Sequence, residues 1–132
     1  MPKRKAKRSG GGRARRASGR RRGSSRRAKG AAGKLPKSAV TLVVTLRARE
    51  GQQLLLEAEL RALVAPTRKE EGCITYDLFR STDAPSAFLL HEVWESREHH
   101  TEHTRTAHFL RWNARKDALL ASREAGFWTP VA

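Results

Sequence analysis

The residues most able to do chemistry are gathered late in the chain. Four of the five histidines, His99, His100, His103 and His108, fall within one ten-residue stretch. Imidazole titrates near neutral pH, so it can take a proton from a phenol and hand it on. His103 and His108 flank a break between two expected helices, which makes both candidates for proton transfer or substrate binding. The alternative for each is a capping or surface histidine. Tyr76 is a third candidate, able to donate a hydrogen bond to a quinone oxygen, or else a half-buried strand tyrosine. Just before the histidines, Phe88, Leu90, Glu92 and Trp94 alternate along one run. In a strand they share a face. Trp94 and Phe109 can then wall an apolar pocket, with Phe88 on the same side, or pack as ordinary core. Glu92 on that face needs a partner or a raised pKa, which suits substrate binding or a base. Its alternative is an ion pair with an arginine across the sheet.

Two further chemistries fit the residues less well. His99 and His103 stand at i,i+4, a spacing that can hold a metal on one helical face. No glutamate directly follows His99 as in a metalloprotease motif, and His100 points about 100° away around the helix. A polar solvated helix is the simpler account, so neither a metal nor any other cofactor is expected. Cys73 has no evident cationic neighbour in sequence and reads as packing rather than nucleophile.

These residues must be positioned by a small domain starting near residue 39. Ala39 to Leu46 is β-branched and reads as a strand, closed off by Gly51. From Gln52 to Val64 the period changes: Leu56, Leu60, Leu63 and Val64 form one helical stripe, and Glu57 and Arg61 form an i,i+4 pair outside it. Pro66 is expected to end that helix or restart it as a short turn. Gly72 marks a turn. Cys73 to Arg80 is a strand with Ile74, Tyr76 and Leu78 on one face. Ser81 to Ser86 has hairpin-loop composition. Ala87 to Glu95 is a third strand, with Leu89, His91 and Val93 opposite the Phe88–Trp94 set. Both faces are largely apolar, so cover is expected from helices on one side and from a second subunit on the other. Ser96 is an N-cap for a helix to about Thr104. A second helix, about Thr106 to Ser122, carries Ala107, Leu110, Ala114, Ala118 and Ala121 as its stripe, which leaves Trp112 half-exposed or at a dimer contact. Gly126 is expected to end it, before a short edge strand over Phe127–Val131. The order β-α-β-β-α-β is a ferredoxin-like α+β plan.

The charge is divided unevenly. Residues 1–38 hold 16 Lys/Arg and no acid, whereas the remaining 12 Lys/Arg face all 13 Asp/Glu in residues 39–132. The high isoelectric point therefore belongs to the arm. With almost no apolar side chains, the arm cannot offset its ordering entropy and is expected to be disordered. It has neither the apolar core of a secretory signal nor the amphipathic face of a transit peptide. No run reaches transmembrane length. The single cysteine excludes an intrachain disulfide, which fits a reducing, cytoplasmic setting. Arg20, Arg21, Arg22, Arg26 and Arg27 are candidates for unselective phosphate contacts with nucleic acid. The arm has no aromatic residue for stacking on bases. An anionic membrane surface, or a purely solubilising tail, are its other readings.

Three segments carry a family resemblance. Val64-Ala-Pro-Thr-Arg-Lys-Glu-Glu-Gly-Cys-Ile-Thr-Tyr-Asp-Leu78 is similar to the antibiotic-biosynthesis-monooxygenase segment in which a helix ends in Pro-Thr-Arg and an acidic-Gly-Cys step leads into a Tyr-Asp strand. Phe88-Leu-Leu-His-Glu-Val-Trp-Glu-Ser-Arg-Glu98 resembles that family's strand closing in Glu-x-Trp-Glu-Ser. His103 followed by Thr106-Ala-His108-Phe109 resembles its His, then His-Phe, pattern. Two departures are Ala107, where a proline is usual, and His91, where an aromatic or aliphatic residue is usual. The resemblance implies dimers of ferredoxin-like subunits and, in many members, oxygenation of quinols or polycyclic phenols without metal or flavin. On that basis the expected function is a cofactor-independent monooxygenase using O2, with His103, His108 and Tyr76 handling protons and Trp94, Glu92, Phe109 and Phe88 holding the ring. The alternatives are a non-catalytic ferredoxin-like dimer tethered to nucleic acid by the arm, and a haem-binding relative.

Overall fold

The structure, a computed structural model, describes residues 34–132. The expectations placed on the arm, including nucleic-acid contacts by Arg20–Arg22, Arg26 and Arg27, lie outside the described residues. The elements run β1 (Val40–Ala48), α1 (Gln53–Arg68), β2 (Cys73–Arg80), β3 (Ala87–Trp94), α2 (Arg97–His103), α3 (Ala107–Leu119) and β4 (Leu120–Trp128). The four strands form one antiparallel sheet in the order β2-β3-β1-β4, the ferredoxin-like plan. Among the described residues, no helix is long and apolar enough to cross a membrane.

The sheet buries one face against the helices. Leu42, Val44 and Leu46 of β1 stand opposite Glu92, Leu90 and Phe88 of β3, and Leu56, Leu60 and Leu63 of α1 pack over them. The far face carries Val43, Leu89, His91 and Phe79 among polar neighbours, in the alternation expected of a pleated strand. A register shift between Cys73 and Thr75 interrupts β2. It brings Cys73, rather than Ile74, against the core beside Tyr76.

The structure departs from the sequence reading in three further places. First, Pro66 does not end α1. The helix continues to Arg68, because a proline in the last turn forfeits one backbone bond. Tightened bonds from Lys69 N to Pro66 O and from Glu70 N to Thr67 O close the end. Second, α3 does not face the core with its alanines. Its buried residues are Trp112 and Leu119, with Phe109 packed against the same cluster, whereas Leu110 is 54% exposed. Both stripes have helical spacing, and the one with the larger apolar area is buried. Third, α3 stops at Leu119, and β4 starts at the next residue and runs through Gly126 to Trp128. Arg49, just after β1, makes that abrupt change possible. Its guanidinium donates to Asp117 O at 3.1 and 2.9 Å, and its backbone N–H donates to Leu119 O at 2.8 Å. The last helical carbonyls are thus satisfied without a loop.

Candidate active site

The turn between α1 and β2 supplies a residue that the sequence reading passed over. Glu70 N donates to Thr67 O at 3.0 Å, and Glu70 O accepts from Cys73 N at 3.2 Å, so the turn backbone is held from both sides. Gly72 completes it with φ +85°, a conformation that strains any side chain. A Cβ there would also collide with the His99 ring. Gly72 O accepts from Glu95 N at 2.8 Å and joins the turn to the end of β3. The Glu70 carboxylate is left pointing at the helices beyond.

Those helices bring two imidazoles to it. Ser96 caps α2 by accepting from His99 N and shares a 2.9 Å hydrogen bond with His99 Nδ1. His99 is thereby committed away from His103, at the last position of α2. Thr106 caps α3: its hydroxyl donates to His103 O at 2.8 Å, accepts from Phe109 N at 3.3 Å and lies 3.3 Å from His108 Nε2. One oxygen of Glu70 then lies 2.8 Å from His103 Nδ1 and 2.6 Å from His108 Nε2. A carboxylate can only accept, so the proton of His103 resides on Nδ1 and its lone pair on Nε2. Exposure is graded across the three side chains: 2% at His103, 12% at Glu70 and 24% at His108.

Aromatic rings enclose His103. Trp94 lies 4.9 Å away at 35°, Phe109 5.0 Å away edge-on, Tyr76 at 5.7 Å and His100 at 5.9 Å, all between ring centroids. Trp94 is held in turn by Glu92, whose Oε1 accepts from its indole N–H at 3.0 Å. That indole is the hydrogen-bond partner Glu92 has, in place of an arginine across the sheet; Arg123 contributes only its nearby charge.

Burial governs the titration of the cluster. It pushes Glu92 up to about 7, against the hydrogen bond from Trp94 and the charge of Arg123. It pushes the Tyr76 hydroxyl well above the ordinary phenol value, helped by the charge of Glu92. Tyr76 is therefore a neutral hydrogen-bonding group rather than a base. Burial brings His100 down to about 4, with His103 and Arg97 adding to the shift. It also lowers His103, against the hydrogen bond to Glu70. Both imidazoles are neutral at physiological pH.

The structure thus brings together His103, His108, Tyr76, Trp94, Glu92 and Phe109. It does not bring Phe88 with them. Phe88 lies on the same face of β3 but six residues, about 20 Å, from Trp94. There it lines two open clefts of about 1010 and 620 Å³, bordered by Leu78, Phe79 and Arg80 or by Leu46 and Leu89. None of the His103 cluster lines either cleft. Trp94 and His103 are enclosed at the centre of the cluster, and its more exposed rim is formed by His100, His108 and Phe127. Phe127 is 38% exposed, lies edge-on to His100 at 5.5 Å and has the Arg97 guanidinium 3.8 Å over its ring. Glu70 is the member that sequence reasoning missed; Thr106 and His100 were named there but given no role in this cluster. The one signal for Glu70 was its place in the acidic step before Gly72-Cys73.

The family model described as antibiotic biosynthesis monooxygenase matches residues 39–115. Rv0793 of Mycobacterium tuberculosis, provisionally named a monooxygenase, is 35% identical over 83 residues, which cover 63% of this chain and 81% of that protein. YcnE of Bacillus subtilis, named in the same way, is 30% identical over 79 residues, 60% of this chain and 81% of its own. The crystal structure of PA3566 from Pseudomonas aeruginosa superposes with a TM-score of 0.71 at 35% identity and covers 75% of this chain and 100% of that one. The matched region contains Glu70, Tyr76, Trp94, His108 and Phe109 around His103, and on these grounds the chain belongs to the antibiotic biosynthesis monooxygenase family.

Proposed function

We propose that this protein is a cofactor-independent monooxygenase that oxidises a quinol or polycyclic phenol with O2, with His103 as the base. The observation that carries this reading is the His103 imidazole itself. It is fixed through Nδ1 on Glu70 and set between the rings of Trp94 and Phe109. Such an arrangement suits removal of a proton from a flat, electron-rich ring. The provisional monooxygenase names of its relatives point the same way.

In this reading His103 Nε2 accepts the phenolic proton, and Glu70 stabilises the resulting imidazolium, as a carboxylate does behind any catalytic histidine. Tyr76, kept neutral by burial, packs against the inner side of the His103 ring. The phenolate passes an electron to O2, and the radical pair closes to a peroxide on a ring carbon. Loss of water from the peroxide leaves a hydroxyquinone. One oxygen atom stays on the ring and the other leaves as water. The substrate supplies all four electrons, so no external reductant is consumed. Apolar walls keep bulk water from the peroxide. The ring approaches from the rim of His100, His108 and Phe127, since the interior around Trp94 is filled. A second copy of the chain covers the far face of the sheet, where Val43, Leu89, Phe79 and Trp128 leave an apolar surface. Sedimentation at micromolar concentration checks that arrangement, and a monomer would exclude it.

The test of activity is oxygen uptake by chelator-treated protein with a panel of hydroquinones and polycyclic phenols. Uptake without added metal or flavin is expected with at least one of them. Failure of the whole panel would remove the oxygenase reading.

A further inference from the structure

The cluster described above has a second capacity that base catalysis does not use. Oε2 of Glu70, Nδ1 of His103 and Nε2 of His108 all lie within 4.8 Å of one another. Two imidazole nitrogens and a carboxylate oxygen, each from a separate element, are the ligand set of many zinc enzymes and of non-haem iron oxygenases. Imidazole nitrogen favours transition ions over magnesium or calcium. The donors are also supported from behind. Thr106 ties the His103 backbone to the cap of α3, and the Glu70 backbone is held in its turn.

We propose that Glu70, His103 and His108 form a binding site for one divalent first-row transition-metal ion, and that filling it silences the His103 base. The second clause rests on the function proposed above; the first does not.

The fit requires a small movement. The present contacts of 2.8 and 2.6 Å are those of shared protons. Ligands about 2.0–2.2 Å from an ion sit roughly 3.3 Å apart in tetrahedral geometry, so the donors must open by about half an ångström. Glu70 and His108 are the two more exposed members and take up that change. A fourth position remains for water or a substrate oxygen. The expectation that considered only His99 with His103 could not find this site, because Glu70 joins it from 33 residues earlier in the chain.

The silencing follows from tautomers. As a base, His103 carries its proton on Nδ1 and its lone pair on Nε2. To ligate an ion through Nδ1, it must carry the proton on Nε2 instead, the nitrogen that would receive a phenolic proton. The proton moves within the ring and none is released. The ion and the base reaction thus compete for one imidazole.

The experiment uses untagged full-length protein, stripped with chelator and desalted. It is titrated with Zn(II) by calorimetry and with Co(II) by visible absorption. One ion per chain is expected, with Co(II) bands characteristic of nitrogen and oxygen ligation. His108→Ala and Glu70→Gln should each weaken binding by at least about tenfold. His91→Ala, on the far face of the sheet, should leave it unchanged. His108 is partly exposed, so its variant should melt like the parent without metal, which separates a lost ligand from a lost fold. Absence of saturable one-to-one binding, or binding that survives both ligand variants, overturns the site and leaves the oxygenase reading standing. Zn(II) should stop oxygen uptake, and chelator should restore it. Saturated protein that still consumes oxygen overturns the silencing.

Discussion

The helix-covered face of the sheet is finished in opposite ways at its two ends. At the Phe88 end it opens into broad clefts, and its charges are paired at the surface: Glu57 accepts from Arg61 and from Arg80 at 2.7 Å each. At the Trp94 end, which neither cleft reaches, the His103 imidazole, the Glu92 carboxylate and the Tyr76 phenol are buried among aromatic rings, with Glu70 and His108 half-buried beside them. The open end offers space and exposed, mutually satisfied charges. The closed end offers polar groups that would cost stability unless each had a specific partner. The lesson is that in this domain the candidate for chemistry is marked by buried, partnered polarity and not by the size of a hollow.

The largest effect expected from that contrast is on turnover. His103→Ala should lower kcat/KM for the best quinol by about 10²- to 10⁴-fold, the usual contribution of a general base, with oxygen consumption as the readout. A loss below tenfold would place the base elsewhere. Next comes Phe88→Ala, which should lower stability by about 3–5 kcal/mol in chemical denaturation while the surviving folded protein keeps its KM. A raised KM with unchanged stability would move substrate to the open end and reverse the comparison.

A smaller effect concerns Glu92. Its folded pKa of about 7 lies above the ordinary 4.5, so the protonated acid is the form the fold prefers. Its penalty is absent below about pH 4.5, grows as the pH rises through the interval to 7, and is complete above it. Glu92→Gln should therefore be more stable than the parent at pH 8, by no more than about 3 kcal/mol, and the gain should vanish at pH 4.5. Denaturation midpoints at the two pH values check the sign. Tyr76, Trp94, Arg123 and Glu70 are the groups facing Glu92 and are unchanged in the variant. The smallest effect belongs to the open end. Arg80→Ala removes a surface ion pair with Glu57 and should leave the denaturation midpoint nearly unmoved, with no change in turnover.

Much of the frame was legible before the structure. β1, β2 and β3 follow from β-branched alternation, and the Leu56, Leu60, Leu63 stripe fixed the buried side of α1. Phe88, Leu90, Glu92 and Trp94 do share the inner face. What sequence spacing does not contain is a choice between two stripes of equal period. On α3 the alanine stripe and the Phe109, Trp112, Leu119 stripe both repeat helically, and only buried area separates them. The start of β4 depends on Arg49 capping a helix some 70 residues later, a contact with no local signature. Glu70 was missed for the same reason. Its partners are 33 and 38 residues away, and nothing in its own turn reveals that two imidazoles converge on it.

The attachment of the basic segment sets a practical boundary. Ser38 donates to Glu95 O at 2.6 Å, and Ala39 N donates to Pro36 O at 3.0 Å. Val40 pairs with Trp94 in the sheet. The last residues before β1 are thus a clasp on the strand end that carries Trp94. A truncation designed to strip the positive charge should stop before Pro36. Cutting at residue 38 would unfasten β3 beside the cluster and mix a loss of charge with a loss of order.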